Sequence, residues 1–133
     1  WLTSFAMILF GSLALAKRHA ELIRAGAEGR TIAGRGYLAS DTPLTVSLGI
    51  ATAAMSVLVM LFYMQFDVAG KGLYNDPQRL FFVPLVLGSW LIRIWVKAHR
   101  GTLHDDPVVF ALKDKASWLH GAMVAMCWLA AVA

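Results

Sequence analysis

The sequence predicts an all-α membrane protein whose 133 residues form one unit with four transmembrane helices. Three observations predict this class: hydrophobic residues make up 59% of the chain, charged residues 15%, and mean hydropathy is +0.63. Soluble domains are about 45–50% apolar and about 25% charged. This composition disfavours a soluble globular domain and a disordered chain. The net charge of +4 is then explained by the loops between spans, without a nucleic-acid partner.

Four apolar stretches justify the four helices: residues 1–16, 42–66, 80–96 and 116–133. None alternates polar and apolar residues as a barrel strand would. The second stretch is uncharged, and as a helix it reaches roughly 37 Å, enough to cross a ~30 Å hydrocarbon core. The first stretch has no basic segment before it, unlike a signal peptide, so we expect the chain to be part of a longer protein.

The connecting segments predict the orientation. Segments 17–41 and 93–115 each contain five Lys and Arg residues, whereas segment 67–79 contains two. The positive-inside rule therefore places the first and third segments in the cytoplasm, and alternation of four spans requires the same pattern. The single cysteine, Cys127, excludes an intramolecular disulfide and a cysteine-rich metal site within the chain.

Segment 17–41 contains the first candidate site. If the first helix continues past the membrane, Lys17 and Glu21 share a face, and Lys17 with Arg18 is suited to gripping phosphate oxygens. Glu21 would then orient a base or hold a hydrated Mg²⁺. The alternative is a positively charged membrane anchor with a surface ion pair between Lys17 and Glu21, which would contribute little.

Segment 93–115 leaves further alternatives open. Asp105 and Asp106 beside His104 could bind a divalent cation, or they could start a short helix with Pro107 in its first position. Arg93 lies at membrane depth, where a charge is costly. It either faces protein or water for a functional reason, or extends its side chain to the nearby cytoplasmic end. His19 is most simply interpreted as an interfacial residue.

Three segments in order, LALAKRHAEL at 13–22, GRGY at 34–37 and DDPVVFALKD at 105–114, resemble the C-terminal part of UbiA-family prenyltransferases. The resemblance extends along most of the chain. It is strongest to bacterial members that carry a HAD-like hydrolase domain and to the decaprenyl-phosphate phosphoribosyltransferase branch. The family's fold is a bundle of nine transmembrane helices with an active site at the cytoplasmic side. The resemblance implies that this chain supplies the last four, in a bacterial inner membrane.

The resemblance also implies a reaction. A UbiA-like enzyme would move a prenyl or phosphoribosyl group between a polyprenyl lipid and a phosphorylated or aromatic partner, with Mg²⁺ held mainly by an Asp-rich motif outside this chain. The family's second motif has two Asp residues four apart, where this chain has Lys17 and Glu21. That change fits a phosphorylated sugar donor better than a prenyl diphosphate. The alternative is a non-catalytic subunit that packs against other membrane subunits.

By this resemblance the site residues divide by role. The catalytic candidates are Lys17 and Glu21, the substrate-binding candidates are Arg18, Arg35, Tyr37 and Lys113, and the metal candidates are Glu21 with Asp105 and Asp106 as weaker ones.

Overall fold

A computed structural model describes residues 1–27 and 39–133, which are helical and contain no strand. The helices are α1 (Leu2–Ala27), α2 (Thr42–Tyr63), α3 (Phe82–His99), α4 (Pro107–Lys113) and α5 (Lys115–Val132). A 3-10 turn (Ala39–Asp41) precedes α2, a π-helical turn (Met64–Val68) extends it, and a second 3-10 turn (Pro77–Phe81) leads into α3. The predicted all-α class is confirmed for the described residues, and each predicted apolar stretch lies in a helix.

The long helices α1, α2, α3 and α5 run alternately up and down. At one end Trp1 stacks on Phe66, and at the other His19 contacts Thr45, so α1 and α2 are antiparallel. Trp90 Nε1 of α3 donates to Ser117 Oγ of α5, 3.0 Å away. The backbone N–H of Asp76 donates to the Ala131 carbonyl at the far end of α5. The described parts of segments 17–41 and 93–115 therefore meet at one end of the bundle, here called the basic end.

Small side chains bring α1 and α2 together. The buried positions of α2 include Thr45, Gly49, Ala53 and Ser56, and those of α1 include Ser12, Ala16 and Ala20. A spacing of three or four residues places such positions on one face, where small side chains allow two helix backbones to approach closely.

The indole of Trp95 in α3 fills the space that the side chain at Gly49 would otherwise take. A Cβ built on Gly49 would overlap the six-membered ring of Trp95. Trp95 Nε1 donates to Ser12 Oγ over 3.1 Å, and that hydroxyl donates to the Gly49 carbonyl over 2.9 Å. Three helices are thus joined at one point, with every polar atom of this buried contact hydrogen-bonded.

Gly101 ends α3 and requires glycine for two reasons. Its φ of 68° is left-handed, and a Cβ would lie 3.3 Å from Ile23 Cγ2 of α1. The N–H of Gly101 donates to the Ala98 carbonyl and that of Thr102 to the Lys97 carbonyl, which is a Schellman motif. The chain therefore leaves α3 beside α1, and this turn directs the next segment toward Lys17.

In the part of the chain that the structure describes, two helical stretches are long and apolar enough to cross a membrane. Thr42–Val68 (27 residues) and Pro77–His99 (23 residues) each contain an 18-residue window of high mean hydropathy, 2.1 in the first and 1.6 in the second. Length and composition alone are weak support, because a core helix can pass the same test. Here many large apolar side chains lie on the outside of the bundle, among them Met7, Phe10, Ile92 and Met126.

Candidate functional site

The basic end brings Lys17 of α1 next to Asp106, which lies 89 positions later in the chain. Lys17 Nζ is 3.2 Å from Asp106 Oδ2, with both side chains about two-fifths exposed. Arg18 Nη1 donates to Glu21 Oε2 over 2.6 Å. The first helix continues past the apolar stretch to Ala27, and in place of the alternative pair of Lys17 with Glu21 each of these residues has another partner.

Asp106 begins the short helix α4. Its Oδ1 accepts a hydrogen bond of 3.1 Å from the backbone N–H of Val108, and Pro107 occupies the first turn. The predicted capping role is confirmed. Lys113, at the other end of α4, places Nζ 3.0 Å from Asp105 Oδ2. The candidates Asp105, Asp106 and Lys113 are therefore held in one exposed ion-paired rim beside Lys17.

The carboxylates of this rim do not form a metal centre by themselves. Mg²⁺ takes octahedral oxygen coordination, commonly from one or two carboxylates together with phosphate and water. Within residues 1–27 and 39–133, no three His, Cys, Asp or Glu side chains come together as a metal site. Glu21, Asp105 and Asp106 each contact a cation instead. The donor set in the described part of the chain therefore does not fit a resident Mg²⁺.

Arg93 binds Asp114, a partner that neither sequence interpretation named. Its two terminal nitrogens lie 2.6 and 2.8 Å from the two Asp114 oxygens. Asp114 also caps α5, accepting from the Ser117 backbone N–H at 2.8 Å and from its hydroxyl at 2.9 Å. The guanidinium of Arg93 and these donors hold the pKa of Asp114 far below its usual range, although burial opposes the shift. This pair joins α3 to the start of α5.

His19 is buried, which corrects its interpretation as an interfacial residue. Thr45 Oγ1 donates to the Thr42 carbonyl, so its oxygen accepts from His19 Nδ1 at 3.0 Å. His19 Nε2 then accepts from Nδ1 of the exposed His99 at 3.2 Å. Burial and the neighbouring His99 lower the pKa of His19, which favours the neutral form of its ring. Sequence patterns gave no sign of this pair, since 80 positions separate the two rings.

Two of the predicted substrate-binding residues, Arg35 and Tyr37, lie outside the described residues. The remaining candidates, Lys17, Arg18, Glu21, Asp105, Asp106 and Lys113, lie at the basic end. The described residues 17–27, 41 and 93–115 include eight Lys and Arg residues and five Asp and Glu residues, so this end carries a net positive charge. At the other end of the bundle, Asp67 pairs with Lys71 and Asp76 with Arg79. The basic end is therefore the more positively charged end of the described bundle.

Two curated proteins are similar to this chain. The uncharacterized protein y4nM of Sinorhizobium fredii is 47% identical over 133 residues, covering 99% of the chain but 26% of that protein. The nodulation protein NoeC of Azorhizobium caulinodans is 28% identical over 118 residues, covering 86% of the chain and 37% of that protein. The chain thus spans only about a quarter to two-fifths of these relatives. No family model and no solved structure matches it.

Proposed function

We propose that this chain is the C-terminal, membrane-embedded part of a UbiA-like transferase. The whole protein moves a prenyl or phosphoribosyl group between a polyprenyl lipid and a phosphorylated or aromatic partner. The observation that carries the proposal is the meeting of Lys17, Arg18 and Glu21 with the 105–114 segment at one net-positive end. These are the segments on which the resemblance rests, and 89 positions separate the paired residues Lys17 and Asp106.

Lys17 and Arg18 bind the phosphate oxygens of the donor. Each cation already has one carboxylate partner, so its remaining N–H groups are the ones directed to the ligand. Asp106 and Glu21 keep the two cations in place before the donor arrives, and positive charge there stabilises the departing diphosphate. Mg²⁺ belongs to the proposal through ligands outside this chain, as the resemblance implies.

One relative is named a nodulation protein, and we propose that the whole protein containing this chain also takes part in nodulation.

A non-catalytic subunit is the second candidate function. It is favoured by the exposed apolar side chains of α5, including Trp118, Leu119, Met126 and Leu129, which suit packing against other membrane helices. The two candidates differ in whether the basic end binds a phosphorylated donor.

Donor binding distinguishes them. Lys17→Ala in the whole protein should weaken binding of phosphoribosyl diphosphate or an isoprenyl diphosphate by about tenfold, as expected for loss of a charged hydrogen bond to phosphate. Glu21→Gln removes the partner of Arg18 and should weaken donor binding less than Lys17→Ala does, because Arg18 keeps its charge. Isothermal titration calorimetry in detergent measures the donor affinity of both variants.

Asp106→Asn is the matched control, because it removes the ion pair with Lys17 yet keeps a good helix cap. It should weaken donor binding by about threefold at most, because Lys17 keeps its charge and loses only the exposed carboxylate that positions it. If Lys17→Ala and Asp106→Asn lose affinity equally, the pair acts as a structural unit. If the parent binds neither diphosphate, the subunit proposal is the better one.

The proposal includes four spans with the basic end in the cytoplasm. Leu73 and His104 are exposed residues at opposite ends of the bundle. In a Cys127→Ser background, Leu73→Cys should react with an impermeant maleimide on intact cells, and His104→Cys should react only after permeabilisation. The reverse pattern would place the candidate site outside the cell and overturn the proposal.

A further inference from the structure

An open groove runs along the outside of the bundle between α2 and α3. It encloses about 920 Å³, and its walls include Val46, Ile50 and Leu58 of α2 with Gly88, Ile92 and Val96 of α3. Small-ligand sites commonly measure about 300–1,000 Å³. Apart from His99 and Arg100 at one end, every side chain lining the groove is apolar. The groove thus has the polarity of an amphiphile, with a long apolar part and one charged end.

The length of the groove matches one leaflet of a membrane. Its α2 wall extends from residue 46 to residue 58 and its α3 wall from 88 to 100, so each is about 18 Å long. Half of a bilayer's hydrocarbon core is about 15 Å thick. A single extended hydrocarbon chain of one leaflet would therefore lie along the groove with its headgroup at His99 and Arg100.

The charged end suits an anion. Arg100 is exposed, and among the described residues it makes no ion pair. No Asp or Glu lines the groove. His99 donates its Nδ1–H to His19, so its Nε2 is an acceptor and Arg100 is the group at this end that binds an anion. The carbonyls of Lys97 and Ala98 near the end of α3 accept from the backbone N–H groups of Thr102 and Gly101.

We propose that this groove binds an acyl chain of an anionic phospholipid, whose phosphate contacts Arg100. A helix from a protein partner is a poorer occupant, because a single cation at the end of an apolar channel matches one headgroup and one chain. The inference rests on the membrane setting alone and is independent of the transferase reaction.

Photo-crosslinking in nanodiscs tests the proposal with the whole protein. The probes are phosphatidylglycerol and phosphatidylcholine, each with a diazirine on one acyl chain, and crosslinked peptides are mapped by mass spectrometry. We expect crosslinks at residues 46–58 and 88–96, about fivefold stronger with phosphatidylglycerol, as expected for one interfacial cation. Arg100→Gln should reduce that preference at the groove to parity.

Two matched controls distinguish binding in the groove from the effect of losing any cation at this end and from the effect of adding any bulky residue to α2. Lys115→Gln removes a cation from the same end and should not change the ratio of groove crosslinks to crosslinks elsewhere. Ala54 lines the groove, whereas Ala51, equally exposed on α2, does not. Ala54→Trp should reduce groove labelling by both lipids several-fold, and Ala51→Trp should leave it unchanged.

Three outcomes would overturn the proposal. The first is an unchanged phosphatidylglycerol preference in Arg100→Gln, and the second is equal groove labelling in Ala54→Trp and Ala51→Trp. The third is a groove that neither lipid labels in the parent, which would mean that protein covers this face. Loss of donor binding in Lys17→Ala bears on the transferase proposal and leaves each of these outcomes unaffected.

Discussion

Gly49→Ala should be among the most damaging single-methyl additions in this protein. The new Cβ would overlap the Trp95 ring, which is buried and held by its hydrogen bond to Ser12. Overpacking a rigid aromatic contact costs about 1–3 kcal/mol, and a displaced indole would also lose its buried surface. We expect the free energy of unfolding in mixed micelles to fall by about 3 kcal/mol or more.

The control for Gly49→Ala is Gly11→Ala, on an exposed helical position where a Cβ meets no atom within 4 Å. That substitution should stabilise α1 by about 0.5–1 kcal/mol. In a double-mutant cycle, Gly49→Ala should cost far less in a Trp95→Leu background, because the clash has gone. Equal costs in both backgrounds would show that Gly49 matters for its backbone and not for the contact with Trp95.

Asp114→Ala should be the second large loss, because the side chain binds Arg93 through both oxygens and caps α5. Loss of a cap costs about 1 kcal/mol, and an unpaired Arg93, partly exposed, adds a similar amount, for a total of about 2 kcal/mol. Asp114→Asn keeps a capping oxygen and should lose only about half of this. Denaturation in micelles measures both variants.

Acid should weaken the same contact. The pKa of Asp114 is depressed in the folded protein, so the stability that it contributes is present above its unfolded-state pKa, about 3.9. That contribution is lost as the pH falls from there toward the folded-state pKa. The difference in stability between the parent and Asp114→Asn should therefore shrink below about pH 4. A constant difference from pH 7 to pH 3 would show that the pair does not set the stability of this end.

Local sequence signals are sufficient to predict the positions of the helices but not the contacts between them. Apolar length predicted where each long helix lies, and Asp106 followed by Pro107 predicted the start of α4. These features depend on neighbouring residues only. Asp114 as the partner of Arg93 and His99 as the partner of His19 depend on how distant helices are aligned, which a single sequence does not show.

A repeat of small residues in the sequence predicts one of these contacts. Ser12, Ala16 and Ala20 recur every four positions in α1, as do Thr45, Gly49 and Ala53 in α2. Small residues at this spacing indicate a close helix–helix contact in membranes. They could have predicted the pairing of α1 with α2. The replacement of the Lys17–Glu21 pair by Lys17–Asp106 could not have been predicted, because it needs the direction of the chain after Gly101.

The contact of Trp95 with Gly49 has a consequence for the direction of α3 in the bundle. The helices α1 and α2 by themselves form a notch at Gly49 beside the hydroxyl of Ser12. The indole of Trp95 fills this notch when α3 runs antiparallel to α2. With α3 reversed the notch would be empty, and a buried cavity is costly. We therefore expect this contact to favour the native direction of α3 over the reversed one.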